Sequence, residues 1–291
     1  MEDEAGTFPR VQRLDAARML AALREAAGVE LVVSGVLDGG QVGAARVRWP
    51  DGHEGVLKWR PDYDEKDMRA GPLAAVEVLR ACGYPAPATE LVMQVGTAVV
   101  TAQELLPGSK IDYLDERLFD QVLAVHALHV GALAERPDVP RNALYLRADG
   151  PGYCLHEPLR RFSARTAELE RRVRAIGAEC DESMWGDDVV HQDFHPGNML
   201  SRDSVLTGVI DWDGAGRGAA GFDLVTLRFG IHPAGAERVV VDRLDALLDA
   251  LPDDVLRSAW AHMGLRMTDW AIRHFPPDEV DTWVDLAAAR I

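Results

Sequence analysis

Two short polar stretches constrain the fold of this chain more than any other feature. HQDFHPGNML occupies residues 191–200, directly after an apolar pair, and VIDWDGAG occupies residues 209–216. The segment SRDSVLTG between them has the length of a short hairpin. Such a hairpin returns Asp211, at the end of an apolar strand segment, to the neighbourhood of Asp193 and Asn198. The chain must therefore bring a carboxylate, an amide and a second carboxylate together.

These three side chains match the requirements of phosphoryl transfer. The reaction needs an acceptor for the substrate hydroxyl proton and oxygen ligands for magnesium, both close to the γ-phosphate. Asp193 suits the first role, and Asn198 and Asp211 suit the second. Pro196 and Gly197 allow the chain to bend so that Asp193 and Asn198 face one point. The order and spacing match the catalytic-loop and metal-binding pair of kinases.

A transition-metal site is the competing interpretation of the same residues. His191, Asp193 and His195 alternate, so on a strand they would share one side, as hydrolytic zinc sites can require. This interpretation leaves Asn198 and Asp211 without roles. Oxygen ligands around magnesium use both of them. The sequence therefore favours phosphoryl transfer over zinc hydrolysis.

Lys58 is the candidate for a phosphate-binding cation. The chain has only three lysines, and Lys58 ends an apolar strand segment. A strand lysine beside a glycine-rich turn can reach nucleotide phosphates as a point charge, although a strand-end lysine can also reach solvent. The upstream glycines Gly39, Gly40 and Gly43 are candidates for contact with the nucleotide. Their spacing matches no standard phosphate-binding motif, and they can equally serve a hairpin turn.

The hydrophobic pattern predicts an α+β fold in two parts. Residues 1–106 read as a small, largely antiparallel sheet with a helix, and residues 107–291 read as mainly helical. In the first part, the pattern predicts helices over 11–27, ended by Gly28, and over roughly 66–82, strands over 31–37 and 54–59, and a hairpin around Gly96. In the second part, it predicts a helix from 115 to near Pro137 and further helices within 155–180 and 235–290.

Composition and charge narrow the class of partner. The chain is 47% hydrophobic and 27% charged, as in an ordinary globular enzyme. Its net charge of −16, most of it carried after Leu106, disfavours nucleic acid and anionic membranes as partners. An acidic second part would attract a cationic small molecule, although it can also serve solubility alone. Three scattered cysteines and the lack of an apolar run or signal-like start predict a cytoplasmic protein without a membrane span.

Several motifs together resemble those of the aminoglycoside phosphotransferase and choline kinase family. They are VLKW, LLPG, HALH, HQDFHPGNML, VIDWDGAG and GFDLVTL, and they extend over nearly the whole chain. The resemblance implies a bilobal, protein-kinase-like fold with ATP, or GTP in its place, between the lobes. It also implies magnesium as the metal.

The resemblance assigns roles to particular residues. Lys58 would pair with the α- and β-phosphates, and backbone groups of Glu104 and Leu106 would hold adenine. Asp193 would be the catalytic base or hydroxyl orienter. Asn198 and Asp211 would bind magnesium.

The same resemblance suggests supporting roles and exposes departures from the family pattern. His191 would brace the loop by hydrogen bonding, and Asp223 would cap a helix. Gln192 stands where the family usually has glycine. The helix glutamate that normally pairs with the lysine is unclear, because Glu77 is the nearest candidate and the usual register falls on Ala75.

The expected acceptor is a hydroxyl-bearing cationic antibiotic, either an aminoglycoside or a basic cyclic peptide of the capreomycin and viomycin type. Its phosphorylation would give resistance. Asp112, Asp115 and Asp213 are candidates for binding the acceptor's ammonium groups. Two alternatives are a metabolic kinase for choline, homoserine or a sugar, and a nucleotide-binding regulator without turnover. His126 and His129 share a helix face but are not expected to bind metal, and the protein is expected to be a monomer or a homodimer.

Overall fold

The computed structural model describes residues 13–37 and 42–291. Gly39 and Gly40, two of the three glycines predicted to contact the nucleotide, lie outside these residues. Within the described parts of the chain the strands are β1 Val32–Leu37, β2 Ala44–Arg48, β3 Glu54–Arg60, β4 Thr89–Val95, β5 Ala98–Glu104, β6 Ser109–Lys110, β7 Asp188–Val190, β8 Met199–Arg202, β9 Val205–Val209 and β10 Gly216–Gly218.

The helices take up most of the second half. In the described residues they are α1 Ala16–Ala27, α2 Glu65–Met68, α3 Ala74–Ala81, α4 Glu116–His126, α5 His156–Phe162, α6 Ala164–Glu179, α7 Gly221–Gly230, α8 Arg238–Asp249, α9 Asp253–His274 and α10 Pro277–Ala288.

An antiparallel sheet in the order β1-β2-β3-β5-β4 forms the first part. Its middle strand β3 alternates between buried and partly buried residues, which places Leu57 and Trp59 in the core and Lys58 on the opposite face. The buried face packs on α1 through Met19 and Leu23. The sheet therefore fixes Lys58 at its centre, on a rigid strand.

The predicted end of the first helix is confirmed. Gly28 adopts a left-handed conformation, with φ of 65°, and its amide donates to the Arg24 carbonyl. This αL ending suits glycine because it has no Cβ. The helix begins at Ala16, where Asp15 accepts a hydrogen bond from the Arg18 amide.

The helix predicted over roughly 66–82 is divided into α2, a π-helical turn over Arg69–Leu73, and α3. Pro72 lies inside this turn and offers no amide hydrogen, so the regular hydrogen-bond ladder is interrupted there. The buried face of α3, with Ala75 and Leu79, belongs to the same hydrophobic cluster as Tyr84 and the later helices. A division of the chain at residue 106 therefore stays a prediction, because α3 shares its core with residues beyond it.

The helix predicted to run from residue 115 to near Pro137 is shorter than expected. α4 ends at His126, a 3₁₀ turn covers Ala127–His129, and Gly131 has a positive φ of 68°. The buried His126 and His129 side chains bond to groups of the segment around α7, and these contacts replace the continuation of the helix.

The long helix α9 organises the second part, packing against α5, α6, α7 and α10. Its buried His262 accepts a hydrogen bond from the Tyr145 amide at Nδ1, at 3.1 Å. Burial, with a smaller effect of the Arg266 charge, lowers the pKa of His262 to about 3. No helix among the described residues is long and apolar enough to cross a membrane.

His262 should make stability depend on pH. It stays neutral in the folded chain, whereas in the unfolded chain it takes a proton below about pH 6.5. The unfolded state is therefore favoured as the pH falls from 6.5 towards 3, by about 1.4 kcal/mol per pH unit. Replacing His262→Gln should flatten the decline of the free energy of unfolding between pH 7 and 5, measured by urea titration.

The exposed His53 provides the control for this measurement. Its pKa is raised, chiefly by the hydrogen bond to Asp51, so His53→Gln must not flatten the decline. An unchanged slope in His262→Gln would contradict the neutral state assigned to His262.

Candidate active site

The predicted hairpin brings the two polar stretches together. β7 leads into the 191–198 loop, and β8 and β9 then run antiparallel to return the chain at Asp211. Asp203 and Ser204 both have positive φ, as the tight turn between the strands requires. The Ile210 amide donates to the Asn198 carbonyl at 2.8 Å, which fixes the start of the second stretch against the end of the first.

Asp193 lies among donors from three directions. Its Oδ1 accepts from the Arg266 guanidinium at 2.8 Å, and its Oδ2 accepts from Asn198 Nδ2 at 2.8 Å. His195 Nε2 lies 3.5 Å from Oδ2. Burial alone would raise the pKa of Asp193, but the charge of Arg266 and the bond with His195 hold it well below its usual range. Asp193 is therefore ionised, with part of its surface open to solvent.

Asn198 and Asp211 present the donor atoms that magnesium prefers. The Asn198 side-chain nitrogen is committed to Asp193, bonding both its carboxylate and its carbonyl, so the amide oxygen is the atom left to bind a cation. Asp211 adopts a positive φ of 69° at the point where the chain leaves β9. A neutral oxygen and a carboxylate form a hard-cation donor set, so these residues fit magnesium.

Lys58 joins the sheet to this hairpin. Its Nζ lies 2.6 Å from Asp211 Oδ1 and 2.9 Å from Asp213 Oδ2. Burial alone would lower the pKa of Lys58, but the two carboxylates outweigh it and raise the pKa above its ordinary value. Lys58 in turn lowers the pKa of Asp211. Glu77 is exposed on α3, so the partners of the lysine are these aspartates and not a helix glutamate.

A buried framework holds the 191–198 loop in place. Asp223, in the first turn of α7, accepts hydrogen bonds from the amides of His191 and Gln192, at 2.8 and 3.1 Å. The prediction that Asp223 caps a helix is therefore wrong, because its carboxylate holds this loop instead. His129 contacts Asp223 through Nδ1 and the Tyr84 hydroxyl through Nε2.

The histidine side chains of the loop are already occupied by protein groups. His191 bonds the Ile210 carbonyl through Nε2 and accepts from the Asp193 amide at Nδ1, which agrees with the predicted bracing role. His195 accepts from the Gly197 amide at Nδ1 and faces Asp193 with Nε2. Because both nitrogens of His191 are used, the arrangement does not fit a zinc site built on these imidazoles.

His126, His129 and Asp223 place potential ligand atoms within 4.8 Å of one another, so a third candidate ligand does lie beside the two histidines. His126 Nε2 contacts the Ala220 carbonyl, and both nitrogens of His129 have protein partners. The Asp223 oxygens accept the two loop amides. These contacts explain the cluster without a metal.

The segment predicted to hold adenine follows β5 and rests on the hairpin. The Glu104 amide donates to Ala88, whereas the Leu106 amide makes no hydrogen bond to residues 13–37 or 42–291. The Leu106 side chain covers Gly208 in β9, where an added Cβ would approach it to 2.6 Å. Gly108, at φ of 112°, passes so close to Ser201 that a side chain would collide with it. The roles of Glu104 and Leu106 stay predictions.

Four further residues were predicted to contact the nucleotide or the acceptor. Gly43 has a positive φ of 77° before β2, as a turn residue does. Asp115 caps α4 by accepting from the Leu118 amide, and Asp213 is paired with Lys58, so both carboxylates have partners within the chain. Asp112 is exposed.

The sequence did not predict the contact of Arg266 with Asp193 or that of the Tyr84 hydroxyl with His129. Arg266 reaches Asp193 from α9, which is 73 positions away in the chain. Its surroundings in the sequence, an ordinary amphipathic helix with other arginines, carry no signal of this contact.

Comparisons with known proteins bear on the family and the fold. Residues 7–261 match the model of the phosphotransferase enzyme family, APH. A comparison with curated proteins found no match. Among solved structures, the aminoglycoside phosphotransferase APH(4)-Ia is similar, with a TM-score of 0.65 and 15% identity over 94% of this chain and 98% of that chain.

Two ligand complexes are also similar to this chain. A thermostable APH(4)-Ia mutant in complex with ADP and hygromycin B gives a TM-score of 0.60 and 16% identity, covering 93% of this chain and 97% of that one. Spectinomycin phosphotransferase APH(9)-Ia with ADP and spectinomycin gives 0.61 and 13%, covering 96% and 99%. These similarities confirm the predicted α+β, kinase-like fold.

Replacing Asp223→Ala should destabilise the protein strongly. Two buried loop amides would lose their acceptor, at a cost of about 1–3 kcal/mol each. The free energy of unfolding, measured by urea denaturation, should therefore fall by several kcal/mol. Asp242→Ala breaks an exposed pair with Arg238 in α8 and is the control, with an expected change below about 1 kcal/mol. Equal losses in the two variants would show that Asp223 does not hold the loop.

Proposed function

The chain belongs to the phosphotransferase enzyme family, and on that basis we propose that it transfers the γ-phosphoryl group of ATP to a hydroxyl of a cationic antibiotic. The observation that carries the proposal is the convergence of Lys58, Asp193, Asn198 and Asp211 from separate strands and loops. This set provides a phosphate-binding cation, an ionised carboxylate for the acceptor and oxygen ligands for a divalent ion.

In the proposed reaction Asp193 orients the acceptor hydroxyl and receives its proton. The acceptor oxygen forms a bond to the γ-phosphorus, the bond between this phosphorus and the β–γ bridging oxygen breaks, and ADP leaves. The strongly lowered pKa of Asp193 makes it a weak base. Such a base is sufficient because the transition state of phosphoryl transfer is loose, and positioning contributes more than proton abstraction.

Lys58 and the metal ligands act on the phosphate side. The Lys58 ammonium is held by two carboxylates, and on nucleotide binding it pairs with the phosphates. A magnesium ion held by Asn198 and Asp211 would neutralise the charge of the β- and γ-phosphates. Asp213 would then keep Lys58 in place, so we assign it to the nucleotide side and not to the acceptor.

The acceptor class rests on charge and on the similar structures. The chain has a net charge of −16, which attracts cations to it and repels nucleic acid. The similar structures are complexes with hygromycin B and with spectinomycin, which supports an antibiotic acceptor. A resistance role stays a prediction. A metabolic alcohol such as choline is the second candidate, and it would need the same phosphate-side residues.

A panel assay distinguishes these acceptors. ADP release is coupled to NADH oxidation and measured with aminoglycosides, tuberactinomycin peptides, choline, homoserine and simple sugars. We expect turnover with at least one cationic antibiotic and a mass increase of one phosphate in that compound. Turnover only with choline, homoserine or a sugar would overturn the antibiotic assignment and keep the kinase activity.

Replacing Asp193→Ala should abolish transfer and leave nucleotide binding intact, because Asp193 acts on the acceptor and not on ATP. The expected loss in kcat is about 10³-fold or more. Binding of a fluorescent ATP analogue with magnesium should change by less than about threefold. Asp187→Ala, which removes an exposed carboxylate that pairs with Arg217 on β10, is the matched control and should retain activity. Parental rates in Asp193→Ala would refute the role of this residue.

A further inference from the structure

We propose that Arg266 is a positioning residue for phosphoryl transfer, holding the reactive carboxylate and the strained peptide before it in one geometry. The inference rests on the proposed function, because it concerns the aim of Asp193 towards an acceptor hydroxyl. Arg266 lies outside both polar stretches that the sequence identified, and it reaches the site from α9.

The contacts of Arg266 are two-pronged. One guanidinium nitrogen donates to the Gln192 carbonyl at 2.7 Å, and another donates to Asp193 Oδ1 at 2.8 Å. A planar guanidinium presents two nitrogens at a fixed spacing to two neighbouring acceptors, whereas an ammonium donates from a single nitrogen. The side chain is only 25% exposed, so water competes weakly for these bonds.

The peptide that Arg266 holds is conformationally strained. Gln192 has a positive φ of 67°, a conformation that favours glycine. Its amide donates to Asp223 and its carbonyl accepts from Arg266, so the residue is held at both ends. These two contacts offset the cost of placing a residue with a side chain in this conformation.

The carboxylate itself also needs a restraint. Asn198 and His195 both act on Asp193 Oδ2, and among the described residues the hydrogen bond to Oδ1 comes from Arg266. Without Arg266 the carboxylate can rotate about its side-chain bonds, and the neighbouring Asp211 repels it. A small error in the orientation of this carboxylate lowers the rate strongly, because the reaction depends on positioning.

The α9 helix is a suitable base for such a restraint. It extends from Asp253 to His274 and packs against four other helices. One turn before Arg266, the buried His262 ties the same face of α9 to the Tyr145 amide. Arg266 therefore transmits a rigid position from the helical core to the loop.

The test compares Arg266→Ala and Arg266→Lys with the parent in two assays. The first measures phosphoryl transfer to an acceptor that the panel has identified. The second needs no acceptor and measures the slow transfer of the phosphoryl group to water. We expect Arg266→Ala to lose roughly 10²-fold in kcat, with the KM for ATP changed less than about threefold. Arg266→Lys keeps the charge but not the two-pronged contact, so it should recover only part of the loss. Guanidinium ion at tens of millimolar should raise kcat of Arg266→Ala above that in matched sodium chloride.

Arg257→Ala is the matched control. Arg257 lies on the same helix, where it pairs with Glu179 on the surface, so its loss should leave kcat unchanged. Full activity of Arg266→Ala overturns the inference, as does complete recovery in Arg266→Lys, since a charge alone would then suffice. A parent that transfers phosphate neither to any acceptor nor to water overturns the proposed function, and the inference with it. Should Arg266→Ala fail to fold, Arg266→Lys alone is compared with the parent. A lower kcat with little change in the KM for ATP supports the inference, and the parental kcat overturns it.

Discussion

The site depends on the two ion pairs that Lys58 makes with Asp211 and Asp213. They link the middle strand of the first sheet to the hairpin that carries the polar loop, and the pair with Asp211 does so across 153 positions of the chain. Two carboxylates close together repel each other, and a buried ammonium is costly alone, so each partner makes the other tolerable. The placement of the remaining site residues follows from the position of this hairpin.

Buried hydrogen bonds also hold the 191–198 loop in place. Asp223 takes the two amides at its start, and His191 bonds the segment leading to Asp211. These hydrogen bonds are buried. Removing one partner of such a bond costs more free energy of folding than the intact bond contributes. All of these bonds join groups of the protein itself, so none of them requires a bound nucleotide or acceptor.

The sequence predicted the parts of the fold and site that are encoded locally. Glycine at a helix end identified the end of α1, and the hairpin between Asn198 and Asp211 followed from spacing alone. The predicted phosphotransferase family was confirmed by the match over residues 7–261. The partners of Lys58, the role of Asp223 and the contact of Arg266 were missed, because each joins segments distant in sequence. The early end of α4 was missed because side-chain contacts to another element override a continuous helical pattern.

The core around α3 ties this helix to the second part of the chain. In kinases that are switched on and off, the helix beside the nucleotide lysine moves and carries a glutamate to it. Here the corresponding helix shares its buried face with the later helices, and Lys58 is already paired with aspartates that belong to the hairpin. Movement of α3 would therefore disrupt apolar contacts of this shared core. The position of Lys58 is tied to the hairpin instead, so the proposed phosphate-binding cation and the proposed metal ligand Asp211 are restrained together.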